Sequence, residues 1–181
     1  MSTLKVDTIQ GKTGDTVDLV NNNNISMFQL NGDYTTSSQT PVTMTGWSQM
    51  NSQAHWGYKQ VGNLFTESSG FFSTTRLGLY RCYAEVHIQT NNASRWTQIE
   101  VRYTPNGGVN IGGDIYSAIP HLQSDTTYDM HTRMRYYNIN HTGDKISLAV
   151  GSIANVTVRG AGSGNNFDTM LVLEWLAPPV A

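Results

Sequence analysis

The stretch Gly78-Leu79-Tyr80-Arg81-Cys82-Tyr83-Ala84-Glu85-Val86-His87-Ile88-Gln89 constrains the fold of this chain more than any other. Tyr80, Cys82, Ala84, Val86 and Ile88 fall on one side, and Arg81, Tyr83, Glu85, His87 and Gln89 on the other. Strict period-two alternation of this length is the mark of a strand with one buried and one wetter face. The same period returns in Trp96–Thr104, where Ile99, Val101 and Tyr103 alternate with Gln98, Glu100 and Arg102. It returns again in Tyr128–Ile139, where Met130, Met134 and Tyr136 alternate with His131, Arg133, Arg135 and Tyr137. On this pattern His87 and His131 are each expected on the wetter face of a strand. No i, i+3, i+4, i+7 pattern is sustained over three turns. About ten short strands with turn signals every ~8–12 residues predict an all-β sandwich or jelly roll.

The composition agrees with a folded domain. Charged residues make up 13% and aromatic residues 10% of the 181 residues, whereas disordered chains are charge-rich and aromatic-poor. The formal net charge is −2 and no Lys/Arg run occurs, so neither nucleic-acid binding nor a membrane-attracted basic patch has electrostatic support. No apolar run approaches the ~18 residues of a membrane span, and none forms the core of a secretory signal. The expectation is a chain made in the cytoplasm without membrane insertion. Cys82 is the single cysteine and lies on the apolar side of its strand, so it is read as a core side chain.

Chemistry is sparse. The five histidines lack zinc-motif spacing, and Cys82 and His87 are five apart on one strand, pointing to opposite faces. No Gly-x-Ser-x-Gly elbow occurs, and Gly107-Gly108 and Gly112-Gly113 read as turns, not phosphate loops. The expectation is no enzyme, no cofactor and no metal. Asp33, Asp114, Asp125 and Asp144 stand in turns without a calcium-loop pattern. Trp47, Trp56, Tyr58 and Trp96 lie near loops or strand ends and are candidate ligand-contact aromatics that could stack on a host-surface glycan. The competing and favoured reading places them in the core or at a subunit interface.

The chain divides into an arm, 1–24, and a head, 25–181. Leu4, Val6, Ile9, Val17 and Leu19 are the arm's main apolar residues, too few for a core, and Asn21–Asn24 reads as a linker. Such an arm is tied down by adding a strand to another surface. The last strand, Phe167–Leu176, carries Leu171, Leu173 and Trp175 on one side and Met170, Val172 and Leu176 on the other, with Glu174. A strand apolar on both faces must be covered on both, and a neighbouring subunit is the simplest second cover.

Two resemblances add to this reading. Gly62-Asn63-Leu64-Phe65, Gly78-Leu79-Tyr80, Gly143-Asp144-Lys145-Ile146-Ser147-Leu148 and Asn166-Phe167-Asp168-Thr169-Met170-Leu171-Val172-Leu173 resemble, in order and spacing, the tumour-necrosis-factor-like jelly roll and especially its complement globular-head branch. That resemblance implies a ten-stranded jelly roll and a tight homotrimer. Tyr83, His87, Tyr137, Met170, Val172 and Leu176 are then the interface candidates. Met1-Ser2-Thr3-Leu4-Lys5-Val6-Asp7-Thr8-Ile9-Gln10, with Gly14-Asp15-Thr16-Val17-Asp18-Leu19, looks like the N-terminal arm of structural proteins of tailed, particularly cyanobacterial, phages. It implies a virion protein: a tail fibre, spike or head appendage anchored through the arm to another virion protein, with a head that contacts the host surface. The alternative is a capsid decoration or cement protein with no host ligand.

Overall fold

A computed structural model of the chain describes residues 9–10, 16–17, 24–50, 64–90, 96–108, 127–161 and 169–179. Among them are no helices. The arm contributes β1 (Ile9–Gln10) and β2 (Thr16–Val17), which pair with each other antiparallel as a separate two-stranded sheet. The head contributes β3 (Ile25–Leu30), β4 (Tyr34–Thr36), β5 (Val42–Thr43), β6 (Trp47–Gln49), β7 (Thr66–Ser68) and β8 (Phe71–Ser73). It continues with β9 (Gly78–Thr90), β10 (Thr97–Thr104), β11 (Thr127–Ile139), β12 (Lys145–Ser152), β13 (Val156–Val158) and β14 (Met170–Ala177).

These strands make two antiparallel sheets. The seven-stranded sheet has the order β4-β13-β9-β14-β3-β6, with β11 along the other edge of β9. The five-stranded sheet has the order β10-β12-β8-β7, with β5 also on β12. The strand on which the sequence reading rested is therefore the spine of the larger sheet. β9 meets β11 on one side, and β14 and then β13 on the other.

The sheets bury their facing sides against each other. Tyr80, Cys82, Ala84, Val86 and Ile88 are all buried, opposite Phe72, Ile99, Val101, Ile146, Leu148 and Val150 of the smaller sheet. Aromatic rings bridge the layers: Phe28 lies 4.7 Å from Phe72, and Phe65 packs edge-on against Tyr80 at 5.0 Å. Offset and edge-on ring pairs of this kind add to the energy of burial itself.

Two local features shape the edges of the head. Val42 and Trp47 belong to different sheets: Gly46, at φ 87°, turns the chain between β5 of the smaller sheet and β6 of the larger one. The Ser/Thr-rich stretch at 35–40 starts as β4, an edge strand whose Thr35 stands opposite Thr157 across the ladder.

Candidate functional site

One face of the larger sheet is the core. The other looks away from the core, and the register shows what it presents. Met134 stands opposite Tyr83, Tyr83 opposite Val172, and Val172 opposite Met27. One row of apolar side chains thus crosses β11, β9, β14 and β3. Beside it runs a second row, Tyr136, Arg81, Glu174 and Ile25, in which Arg81 and Glu174 form an ion pair. On the other side lie Glu85 and His87. The His87 ring Nε2 is 2.9 Å from Glu85 Oε1, and the Tyr83 hydroxyl donates to Glu85 Oε2 at 3.4 Å.

The face is concave. A groove of about 250 Å³ is lined by Ile25, Arg81, Tyr83, Met134, Val172 and Glu174. Its rim is left open to solvent: Met130, Met134 and Tyr136 are 58%, 51% and 53% exposed. On the face Arg81 forms an ion pair with Glu174, and Glu85 lies against the His87 ring. The residues between and beside them are apolar, rich in Met and Tyr. Such a composition is the anatomy of an interface core.

Of the interface candidates, Tyr83, His87, Met170 and Val172 lie on this face, and Leu176 stands exposed in the irregularity of β14 between Trp175 and Ala177. Tyr137 is a correction. It sits opposite Tyr80 on the core side, stacks on Tyr103 at 5.6 Å and donates its hydroxyl to the Val101 carbonyl at 2.7 Å. The expectation for His131 is corrected too. β9 and β11 are neighbours, but His131 stands opposite the buried Val86, whereas His87 stands opposite Met130 on the open face. The alternation of β11 was legible, but its polar-looking side is the inward one. Met130, Met134 and Tyr136 are the face residues that sequence reasoning left unassigned, because an apolar stripe is ordinarily taken for core.

The aromatic candidates separate. Trp47 follows the favoured reading and not its candidacy for ligand contact: it is buried in the core, with its ring edge-on to Phe72 at 5.7 Å and its Nε1 donating to the Met44 carbonyl at 2.9 Å. Trp96 is half-buried, and its carbonyl accepts from Ser152 Oγ at 3.1 Å. Trp56 and Tyr58 lie outside the described residues. So do Leu4, Val6 and Leu19 of the arm, while Ile9 and Val17 face each other across β1 and β2.

The acidic turn residues that are described are engaged by the protein itself. Asp144 accepts from the Tyr103 hydroxyl at 2.8 Å and from the backbone N–H of Asn106, Asn140 and His141 at 2.9, 3.1 and 3.0 Å. Burial alone would raise its pKa, but these four bonds to the charged form outweigh it and hold the carboxyl below its usual range. The same buried carboxylate helps push the Tyr103 phenol, itself desolvated, up to about 12. Asp33 pairs with Arg159 at 2.7 Å and accepts from the Gly160 N–H. Cys82 is wholly buried and its thiol is pushed up, the opposite of an activated nucleophile. Among the described residues no group of three His, Cys, Asp or Glu side chains is arranged to hold a metal.

No family model matches the sequence, and no curated protein does. Solved structures do match. Eiger TNF from S. frugiperda aligns over 87% of this chain and 94% of its own, at 14% identity and a TM-score of 0.52. Murine APRIL, in a crystal structure at pH 5.0, aligns over 84% of this chain and 99% of its own, at 17% identity and a TM-score of 0.53. The fold is the tumour-necrosis-factor-like jelly roll. A second murine APRIL structure, at pH 8.5, gives 14% identity and a TM-score of 0.53. At such identities the likeness is one of fold. It covers the jelly roll as a whole and leaves the open face of this chain to be read from its own residues.

Proposed function

We propose that this chain is a non-enzymatic structural protein of a tailed-phage particle. Its jelly-roll head assembles as a homotrimer, and residues 1–24 anchor it to another virion protein as a tail fibre, spike or head appendage. The observation that carries the trimer is the apolar row Met134-Tyr83-Val172-Met27 across four strands on the outer side of the larger sheet, with Met134 half exposed. Leaving Met130, Met134 and Tyr136 in water forgoes roughly 25 cal/mol for each Å² of apolar surface that a neighbour would cover. A second copy of the same face and edge is the partner always at hand, and closed symmetry stops the assembly from growing. The phage assignment rests on the arm, whose sequence resembles virion anchors. Trimeric heads on extended arms suit attachment to a surface, because three weak sites act together.

Deleting residues 1–20 tests the anchor. The truncated protein is expected to remain a folded trimer and to be missing from assembled particles. Incorporation at the level of the full chain would refute the role of the arm. A glycan array with the purified trimer tests host contact, for which saturable binding is expected.

A further inference from the structure

The inward row of β11 is unlike any other in the sandwich. Arg133 and Arg135 stand opposite Ala84 and Cys82, on the side of the sheet that elsewhere carries apolar core residues. These two partners are the smallest core side chains of β9, and they leave room for guanidinium stems. The Nε atoms of both arginines are buried and find no hydrogen-bond partner among the described residues. Arg133 Nη1 donates only locally, to the Thr132 carbonyl at 2.7 Å. Among the described residues no carboxylate forms an ion pair with either guanidinium. Desolvation also lowers the pKa of Arg133.

Two neighbouring half-buried cations without a counter-charge are costly, and unmatched buried donors such as their Nε atoms usually mark an ion or water that completes them. We propose that Arg133 and Arg135 bind a small oxyanion, a carboxylate or phosphate group, at the edge of the sandwich. Alternate residues of one strand lie ~7 Å apart, so two guanidinium forks can converge on a single anion. Guanidinium suits such planar, bidentate recognition far better than ammonium. Among the described strands β11 pairs only with β9. Tyr137 closes one end as a wall, its hydroxyl already committed to Val101. His131 occupies the next inward position at the other end.

Thermal unfolding of the full chain tests this in sodium chloride, sodium phosphate and sodium glucuronate at equal ionic strength. Phosphate, glucuronate or both are expected to raise Tm by about 5 °C at saturation over chloride, and whichever acts identifies the group bound. Arg135→Met should abolish that rise while unfolding in chloride no lower than the native chain, because it removes an uncompensated charge and keeps the stem. Arg135→Lys should weaken the anion about tenfold. Three outcomes overturn the proposal. These are no rise in either anion, an undiminished rise in Arg135→Met, or unfolding of Arg135→Met well below the native chain in chloride, which means the arginine already has a partner within the protein.

Discussion

Asp144 illustrates how single residues hold the rim of the head. It is almost wholly buried, yet charged, because the Tyr103 hydroxyl of β10 and three backbone N–H groups of two loops converge on it. Asp144→Asn keeps the size but turns an N–H₂ group toward donors. It should cost about 2–4 kcal/mol, measured by denaturant unfolding. The pH dependence has a definite sign. Above the ordinary value of 3.8 the carboxylate is charged in both states and its contribution is complete. As pH falls through 3.8 and on toward the lower folded value, the unfolded chain takes up the proton first and stability is lost. The variant should show a shallower acid limb than the native chain. Gly78 is constrained differently. At φ 151° a Cβ there would collide with the Ala177 carbonyl and the Trp175 indole, so Gly78→Ala should destabilise by about 2–3 kcal/mol. A glycine is required two residues before Tyr80 because β14 passes so close.

At the scale of elements, the sequence and the structure agree where a strand has one apolar side facing one core. β9, β10 and β12 were legible for that reason, and their alternation fixed both their existence and their inner face. β11 shows the limit. Period two says that two sides differ, but it does not say which is inward, and here the Met/Tyr side looks out and the Arg/His side looks in. β5 and β6 show another limit: the sequence carries no mark of a chain changing sheets beyond Gly46. β14 is apolar on both sides, and its two sides predict opposite behaviour. Leu173→Ala opens a hole in the core and should cost about 2–5 kcal/mol whatever the oligomeric state. Val172→Glu touches only the open face, so far-UV circular dichroism should stay native while sedimentation velocity shows dissociation.

For the molecule as a whole, the account turns on one surface. The smaller sheet and the core complete a stable jelly roll. The larger sheet's outer side carries an apolar row and a groove, with Met130, Met134 and Tyr136 exposed among the described residues. Its legibility from sequence was partial. The two-faced β14 announced that a cover is needed, but only the register joined Met134, Tyr83, Val172 and Met27 into one row. The division into an arm, 1–24, and a head is read from composition, and the anchoring role proposed for the arm depends on the head being multivalent. The most direct measurement is the mass of the full chain by size-exclusion chromatography with light scattering at micromolar concentration. A trimer gives three times the chain mass of 20.0 kDa for the native protein and a fall toward the single-chain mass for Val172→Glu. A native protein that elutes as a folded species of 20.0 kDa would contradict it.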